Sequence, residues 1–205
     1  MYKILNTIRN KIFAFIYPLI NNFVSEENKF LRNYITKNTS GDILEIGAGN
    51  GGNLNHYKNY NNLILLDNNI DLLKKSKSIN RCTLLLASSD FLPFKKSSFD
   101  SIVSSLVLCS VDDVEKTFNE LNRVLKSKGK YFFWEHTIIN NKIIYIIKSI
   151  FIFIWKFFTG GCNYNIDNIF NINSIKWGKL KIYKKHSRLV KFLGLYYIYG
   201  EIYKY

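Results

Sequence analysis

Five clusters in the chain hold side chains able to bind or move a chemical group. The first is Ile43-Leu44-Glu45-Ile46-Gly47-Ala48-Gly49-Asn50-Gly51-Gly52-Asn53. An apolar run that breaks into a glycine-rich bend reads as a buried strand, a tight turn and the start of a helix. With no Cβ at 47, 49 and 51, a ligand can lie against the backbone itself. Glu45 ends the strand, facing whatever fills the turn, and a carboxylate there favours a cationic amino-acid tail or a ribose over a phosphate. The spacing differs from Gly-x-Gly-x-x-Gly, which cradles a pyrophosphate at a helix N-terminus.

The second cluster is Leu63-Ile64-Leu65-Leu66-Asp67-Asn68, an apolar strand ending in an acid. Asp67 falls 20 residues after Gly47 (67 − 47), the offset at which a Rossmann-type fold puts a carboxylate on ribose hydroxyls. It is also placed to cap the next helix, and the two roles are compatible. The third cluster is Ser88-Ser89-Asp90-Phe91-Leu92-Pro93-Phe94. Asp90 follows a third strand, where it either accepts an adenine amino group, with Phe91 against the ring, or caps a turn. The fourth runs from Phe99 through Ser105, Leu106 and Val107 to Cys109. It lacks the Asn/Asp-Pro-Pro-aromatic tetrapeptide that an amino-group methylase of nucleobases carries at this place. The fifth is the end of the strand Lys130-Tyr131-Phe132-Phe133-Trp134-Glu135-His136. Glu135 and His136 emerge beside the other clusters, and either could take a proton from an acceptor or tie down a cover.

Composition limits the classes. Apolar residues make up 47% and prolines number two, which excludes a disordered or collagen-like chain; 205 residues suffice for one core. Cys82, Cys109 and Cys162 are widely spaced, with no Cys-x-x-Cys pair. That spacing argues against a zinc site or a disulfide scaffold and suits a reducing compartment, so no metal is expected. There are 29 basic and 15 acidic side chains, a net +14. Residues 1–40 carry +4, residues 41–136 only +1, and residues 137–205 carry +9. A nucleic-acid enzyme concentrates basic charge around its site. Here the positive ends are also the apolar ends, so the expected contact is an anionic membrane surface and no nucleic acid.

The elements that must position these clusters follow from periodicity. Residues 1–24 read as an amphipathic helix, with Ile4, Leu5, Ile8, Ile12, Phe15 and Ile16 at helical spacing, and residues 26–38 as a second helix. The apolar run 12–20 contains Pro18 and is too short to cross a bilayer. Strands at 42–46, 63–67, 83–87, 98–105 and 130–136 alternate with helices at 52–58, 69–78 and 111–125, which implies a parallel sheet with right-handed crossovers. In the turn 126–130, Gly129 is the residue suited to a positive φ. Residues 143–158 form an apolar run broken by Lys148 and Lys156, expected to be a substrate cover. Residues 178–186 and 195–203 read as an antiparallel hairpin.

On these residues the chain resembles the class I S-adenosylmethionine-dependent methyltransferases. More narrowly, it is similar to the membrane-associated methyltransferase-like proteins that act as alkyl-thiol S-methyltransferases. The resemblance rests on Leu44-Glu45-Ile46-Gly47-Ala48-Gly49-Asn50-Gly51, Leu106-Val107-Leu108-Cys109-Ser110-Val111, Arg123-Val124-Leu125-Lys126, Glu135-His136, Gly161-Cys162-Asn163 and Tyr197-Ile198-Tyr199-Gly200. It implies an α/β Rossmann-like sheet of seven strands, order 3-2-1-4-5-7-6 with strand 7 antiparallel, and helices on both faces. It implies a membrane-facing segment or lid at 1–40 and a methyltransferase domain at 41–205 with an apolar cap at about 137–177. The implied cofactor is S-adenosylmethionine, held by Glu45, Gly47, Ala48, Gly49, Gly51, Asp67, Asn68, Asp90, Phe91, Ser105 and Leu106. The implied acceptor is small and apolar, foremost a thiol, with Glu135 and His136 as catalytic candidates. A quinone, sterol or phospholipid acceptor, and a non-catalytic membrane-docked module, are the competing readings. A monomer is expected on the cytoplasmic face of an internal membrane, touching it through residues 1–24 and 143–158. Lys126-Ser127-Lys128-Gly129 departs from the family's usual Lys-Pro-Gly-Gly.

Overall fold

A computed structural model of the chain describes residues 2–76, 82–138, 153–163, 167–186 and 195–205. Seven strands form one sheet in the order β3-β2-β1-β4-β5-β7-β6. They are β1 (Asp42–Ile46), β2 (Asn62–Asp67), β3 (Thr83–Leu86), β4 (Phe99–Ser105), β5 (Leu125–Ile138), β6 (Gly178–Lys185) and β7 (Leu195–Lys204). β1 pairs in parallel with β2 and β4, β2 with β3, and β4 with β5; β7 runs antiparallel to both β5 and β6. The order and the one reversed strand are those the sequence implied. All five parallel strands end at one edge, where ligands of open α/β sheets bind.

Two apolar layers sandwich the sheet. On one face Leu44, Ile46, Ile102, Tyr131 and Phe133 meet Phe118 and Leu121 of α3 (Val114–Val124) and Ile172 of the short α5 (Asn168–Asn173). On the other, Ile43, Leu65, Val103, Phe132 and Trp134 meet Leu31 and Ile35 of α1 (Tyr2–Lys37). Successive residues of a strand point to opposite faces, so these runs are apolar on both sides. The Asp113 carboxylate caps α3 by accepting from the Lys116 N–H at 3.0 Å. At the opposite edge Asp100 Oδ2 accepts from the Asp42 N–H at 2.9 Å and from Lys126 Nζ at 2.8 Å, which ties the starts of β1, β4 and β5 together.

Several local expectations change. The two helices expected in residues 1–38 are one, with Pro18 inside it. Proline has no N–H for the carbonyl four residues back. That carbonyl, of the buried Ala14, instead accepts from Lys75 Nζ at 2.7 Å, so the helix continues. The helix expected at 52–58 is a single 3₁₀ turn, Leu54–His56, and the one expected at 69–78 is α2 (Ile70–Leu73), capped by Asn69. The turn expected at 126–130 is instead an irregular first part of β5, where the register against β4 shifts, and Lys128 there takes the positive φ (63°). Gly129 is required for a different reason: a Cβ there would lie 2.8 Å from the Lys126 carbonyl and 3.0 Å from that of Asp100. Helical residues 153–158 (α4) fall within the expected cap; most of residues 143–158 lies outside the described residues.

Candidate active site

The glycine turn leaves β1 at the carboxyl edge with positive φ at Gly47 (58°), Gly49 (57°) and Gly51 (74°). Its shape is held by Asp67, at the end of β2. Asp67 Oδ2 accepts from the Gly49 N–H at 2.8 Å, and Oδ1 from the Asn69 N–H at 2.8 Å. Asp67 is thus both an anchor for the turn and a brace for the start of α2. Burial pushes its pKa up, against the backbone N–H groups that pull it down. The Ala48 N–H donates to the Leu66 carbonyl at 3.0 Å, which locks the turn against β2.

Glu45 has both carboxylate oxygens held by neighbouring side chains. It lies on the α1 side of the sheet, 1% exposed, with Oε1 accepting from Asn53 Nδ2 and Oε2 from the Tyr57 hydroxyl, each at 2.8 Å. Burial raises its pKa to about 7, offset in part by those two donors and by the Arg32 guanidinium. Asn53 is the hub: its amide also donates to Ser105 Oγ at 2.8 Å and accepts from Arg32 Nη1 at 2.6 Å. Arg32 stacks over Trp134, 5.6 Å from the ring centroid. This network joins α1, the glycine turn, β4 and β5.

α1 also covers the site. The ring of Tyr17 lies over the turn: a Cβ on Gly49 would stand 3.3 Å from it. Tyr17 is enclosed among Arg32, Asp67 and Glu45, and burial raises its hydroxyl pKa. Asn10 accepts at its carbonyl from Asn69 Nδ2 at 3.1 Å. Arg32, Tyr57 and Tyr17 had no motif to mark them, and Asn53, which closes the glycine-rich stretch, was given no role; the i, i+3 register of Arg32 with Ile35 is the signal that could have turned it inward.

Beyond β4 the chain turns at Leu106, whose φ of 58° is unusual for a residue with a branched side chain. Val107 then fills the space a Cβ on Gly47 would need. Glu135, read from the sequence as a group that takes a proton or ties down a cover, holds this loop: Oε1 accepts from Val107 N–H and Ser104 Oγ at 3.1 Å each, and Oε2 from Leu108 N–H at 3.3 Å. It is fully buried, and that burial raises its pKa to about 7. His136 points its Nε2 to Cys162 Sγ at 3.3 Å. Asp90 sits at the same sheet edge but turns to the α3 side, accepting from Thr117 Oγ1 at 2.5 Å. Phe91 is 72% exposed, with Lys116 over its ring at 5.9 Å. Glu45 and Asp67 therefore share one neighbourhood around Tyr17, with Asp90 and Phe91 further along the rim.

Residues 44–133 match a methyltransferase domain family. Thiol S-methyltransferase TMT1B of Mus musculus is 36% identical over 110 residues, 49% of this chain and 45% of that protein. Thiol S-methyltransferase TMT1A of Homo sapiens is 28% identical over 167 residues, 77% of this chain and 68% of that protein. The chain spans about half the length of most of the curated relatives it matches. Among solved structures, geranyl diphosphate C-methyltransferase from Streptomyces coelicolor A3(2), in complex with Mg2+, geranyl diphosphate and S-adenosyl-L-homocysteine, superposes with a TM-score of 0.67. It is 12% identical, covering 90% of this chain and 82% of that one.

Proposed function

We propose that this chain, a class I S-adenosylmethionine-dependent methyltransferase domain by its matched residues and its sheet order, moves the methyl group of S-adenosylmethionine to the sulfur of a small apolar thiol. The observation that carries methyl transfer is the bare-backbone turn at 47–51, locked to Asp67 at the carboxyl edge of β1 and β2. The thiol is supported by what the curated relatives are named for.

The residues present fit an adenosyl sulfonium. The backbone at 47, 49 and 51 is bare, and only the Tyr17 ring rests on it, close enough that a Cβ on Gly49 would stand 3.3 Å from that ring, so a cofactor reaches the turn by moving Tyr17 aside. When bound, the cofactor supplies a methyl group on a sulfonium that an acceptor displaces in line. The chain aligns and desolvates. Asp67, with Asn68 beside it, is assigned to the ribose hydroxyls, and the backbone of Gly47, Ala48, Gly49 and Gly51 to the amino-acid portion. Asp90 and Phe91 are assigned to the adenine, and Ser105 and Leu106 to the reacting end. Glu45 acts at one remove, through Asn53 and Tyr57. α1, with Tyr17, excludes water, which strengthens each polar contact beneath it.

Membrane contact belongs to the same reading. Phe15 (72%) and Leu19 (65%) on α1 and Phe153 (81%), Ile154 and Phe158 in α4 are exposed. Phe13 packs against Gly160, which sets α1 beside the turn after α4. Among the described residues no helix is long and apolar enough to cross a membrane. A peripheral contact on anionic lipid is the form such a surface supports. Replacing Phe15 and Phe153 with Ser should abolish flotation with anionic liposomes; unchanged flotation, or none by the parent chain, refutes it.

Isothermal calorimetry with S-adenosylmethionine, then a screen with the labelled methyl group, tests the function. One-site binding and label on an alkyl thiol are expected. No heat from well-folded protein refutes the cofactor. Label on a quinone, a phospholipid, RNA or protein, with none on thiols, refutes the acceptor.

A further inference from the structure

Cys109, His136 and Cys162 are far apart in sequence but close in the fold, and neither the glycine turn nor the carboxylates use them. Their ligand atoms all lie within 4.8 Å of one another, and they are the one such group of three among the described residues. Three separate elements deliver them: the loop after β4, the end of β5, and the turn after α4. Backbone contacts hold the elements together. The Asn163 N–H donates to the Cys109 carbonyl at 2.8 Å, which clips the two cysteine loops to each other. Asn168 Nδ2 donates to the His136 carbonyl at 2.7 Å and fixes the end of β5 on α5. Gly160 (φ 67°) and Gly161 (φ 100°) turn the chain back so that Cys162 faces the sheet.

We infer that Cys109, His136 and Cys162 form a three-ligand Zn²⁺ site whose open fourth position binds the acceptor thiol as its thiolate; the second half rests on the methyl-transfer reading. In a tetrahedral site with Zn–S of about 2.3 Å and Zn–N of about 2.0–2.1 Å, ligand atoms stand roughly 3.5–3.8 Å apart. His136 Nε2 and Cys162 Sγ are at 3.3 Å, so closing the site requires sub-ångström adjustments at that pair. Two thiolates and a neutral imidazole balance Zn²⁺, so the buried site carries no net charge. Three protein ligands and one vacant position is the pattern of catalytic zinc.

The place suits the chemistry. Cys109 lies two residues beyond Val107, whose side chain abuts Gly47 of the cofactor turn. Glu135 is engaged by the loop and His136 by Cys162, so neither is assigned here as the base for an acceptor thiol. Metal binding makes one unnecessary. The acceptor S–H bond breaks as its sulfur bonds Zn²⁺, and the proton leaves to water. A sulfur lone pair then forms the new S–CH₃ bond while the methyl–sulfonium bond breaks, leaving S-adenosylhomocysteine. The methylated product is a neutral thioether, a weak zinc ligand, and departs.

The experiment uses the full chain, stripped of metal by chelation and titrated with Zn²⁺ or Co²⁺. Expected are one Zn²⁺ per chain by elemental analysis and Co²⁺ absorption bands of a tetrahedral dithiolate site. Cys162→Ser and His136→Ala should each weaken binding by more than the 10–100-fold attributed to outer-shell partners. Cys82→Ser should leave it unchanged. Adding an alkyl thiol should shift the Co²⁺ spectrum and, with cofactor, give the thioether. A folded parent chain that takes up no metal, or variants that bind as well as the parent, overturns the site. A spectrum that an alkyl thiol does not move, or full thiol methylation by the metal-free chain, overturns its assigned role. Metal uptake with a thiol-induced shift but no cofactor binding upholds the site and instead removes the methyl-transfer reading. Circular dichroism melts of each variant separate lost metal from lost fold.

Discussion

Glu45→Gln should make the protein more stable at alkaline pH and leave its cofactor site standing. Glu45 is buried against Asn53 Nδ2 and the Tyr57 hydroxyl, with a folded pKa near 7 against an ordinary 4.5, and burial is the main cause. Between those values the folded state keeps a proton that the unfolded chain has released. The stability this provides is complete below pH 4.5 and is lost as pH rises through 7. One pKa unit corresponds to about 1.4 kcal/mol, so linkage over this interval makes the glutamate cost roughly 2–3 kcal/mol more at pH 8 than at pH 5. Glutamine has no such dependence. Its carbonyl can accept from Asn53 and its amide can donate to the Tyr57 oxygen, which leaves the Tyr57 hydroxyl hydrogen without its former acceptor, a cost that does not vary with pH. Glu135 has the same raised pKa and keeps its own slope, so the quantity to follow is the difference between variant and parent. Urea unfolding at pH 5, 6, 7 and 8 reads it. The difference should grow toward the variant's favour by about 2–3 kcal/mol across that range, with S-adenosylmethionine affinity changed only a few-fold. A pH-independent difference, or a variant less stable than the parent at pH 8, would show that Glu45 is held as a carboxylate in the fold. A hundredfold loss of cofactor affinity with stability as expected would make its charge a direct contact.

Two further perturbations probe neighbouring parts of the rim. Asp67→Ala strands the Gly49 and Asn69 N–H groups in a buried place, each costing about 1–3 kcal/mol, so melting temperature should fall. If Asp67 also holds ribose hydroxyls, calorimetry should show the substitution weakening S-adenosylmethionine roughly ten- to hundredfold more than it weakens 2′,3′-dideoxyadenosine, which lacks those hydroxyls; equal losses for both would deny the ribose role. Lys75→Met should cost about 1–2 kcal/mol by exposing the Ala14 carbonyl that Pro18 leaves without a helical donor. Pro18→Ala restores that donor, so the double variant should recover most of the loss in thermal melts, and strict additivity would refute the pairing.

What could be read from the residues, and what could not, follows the range of the interactions. Apolar runs ending in Glu45, Asp67 and Ser105 announced parallel strands, because strand burial and the carboxyl-edge rule act within a few residues. The division of residues 1–38 into helices at 1–24 and 26–38 was misjudged: the helix is one, and the donor that serves Ala14 across Pro18 comes from Lys75, 61 residues away. The 3₁₀ turn at 54–56 replaced a helix because Asn53 and Tyr57, on either side of it, are drawn to Glu45. Spacing rules for cysteine look for ligands a few residues apart, and Cys109, His136 and Cys162 are separated by 27 and 26 residues. Only the sheet order, which puts β4 beside β5 and brings the chain back after α4, makes neighbours of them.

The loop between Leu106 and Cys109 joins the two halves of the site, and its geometry is maintained against a local preference. A leucine at positive φ costs on the order of 1–2 kcal/mol relative to an extended backbone. Glu135 offsets this by accepting from the Val107 and Leu108 N–H groups, and the Trp134 carbonyl by accepting from the Leu106 N–H at 2.7 Å. Both braces come from β5, directly before His136. A single strand end therefore positions the loop that backs the glycine turn and presents one of the three side chains proposed to ligate Zn²⁺. Replacing Glu135 would disturb both at once. Its effect on turnover would then report alignment of the methyl group with the acceptor sulfur, without requiring Glu135 to exchange a proton with either.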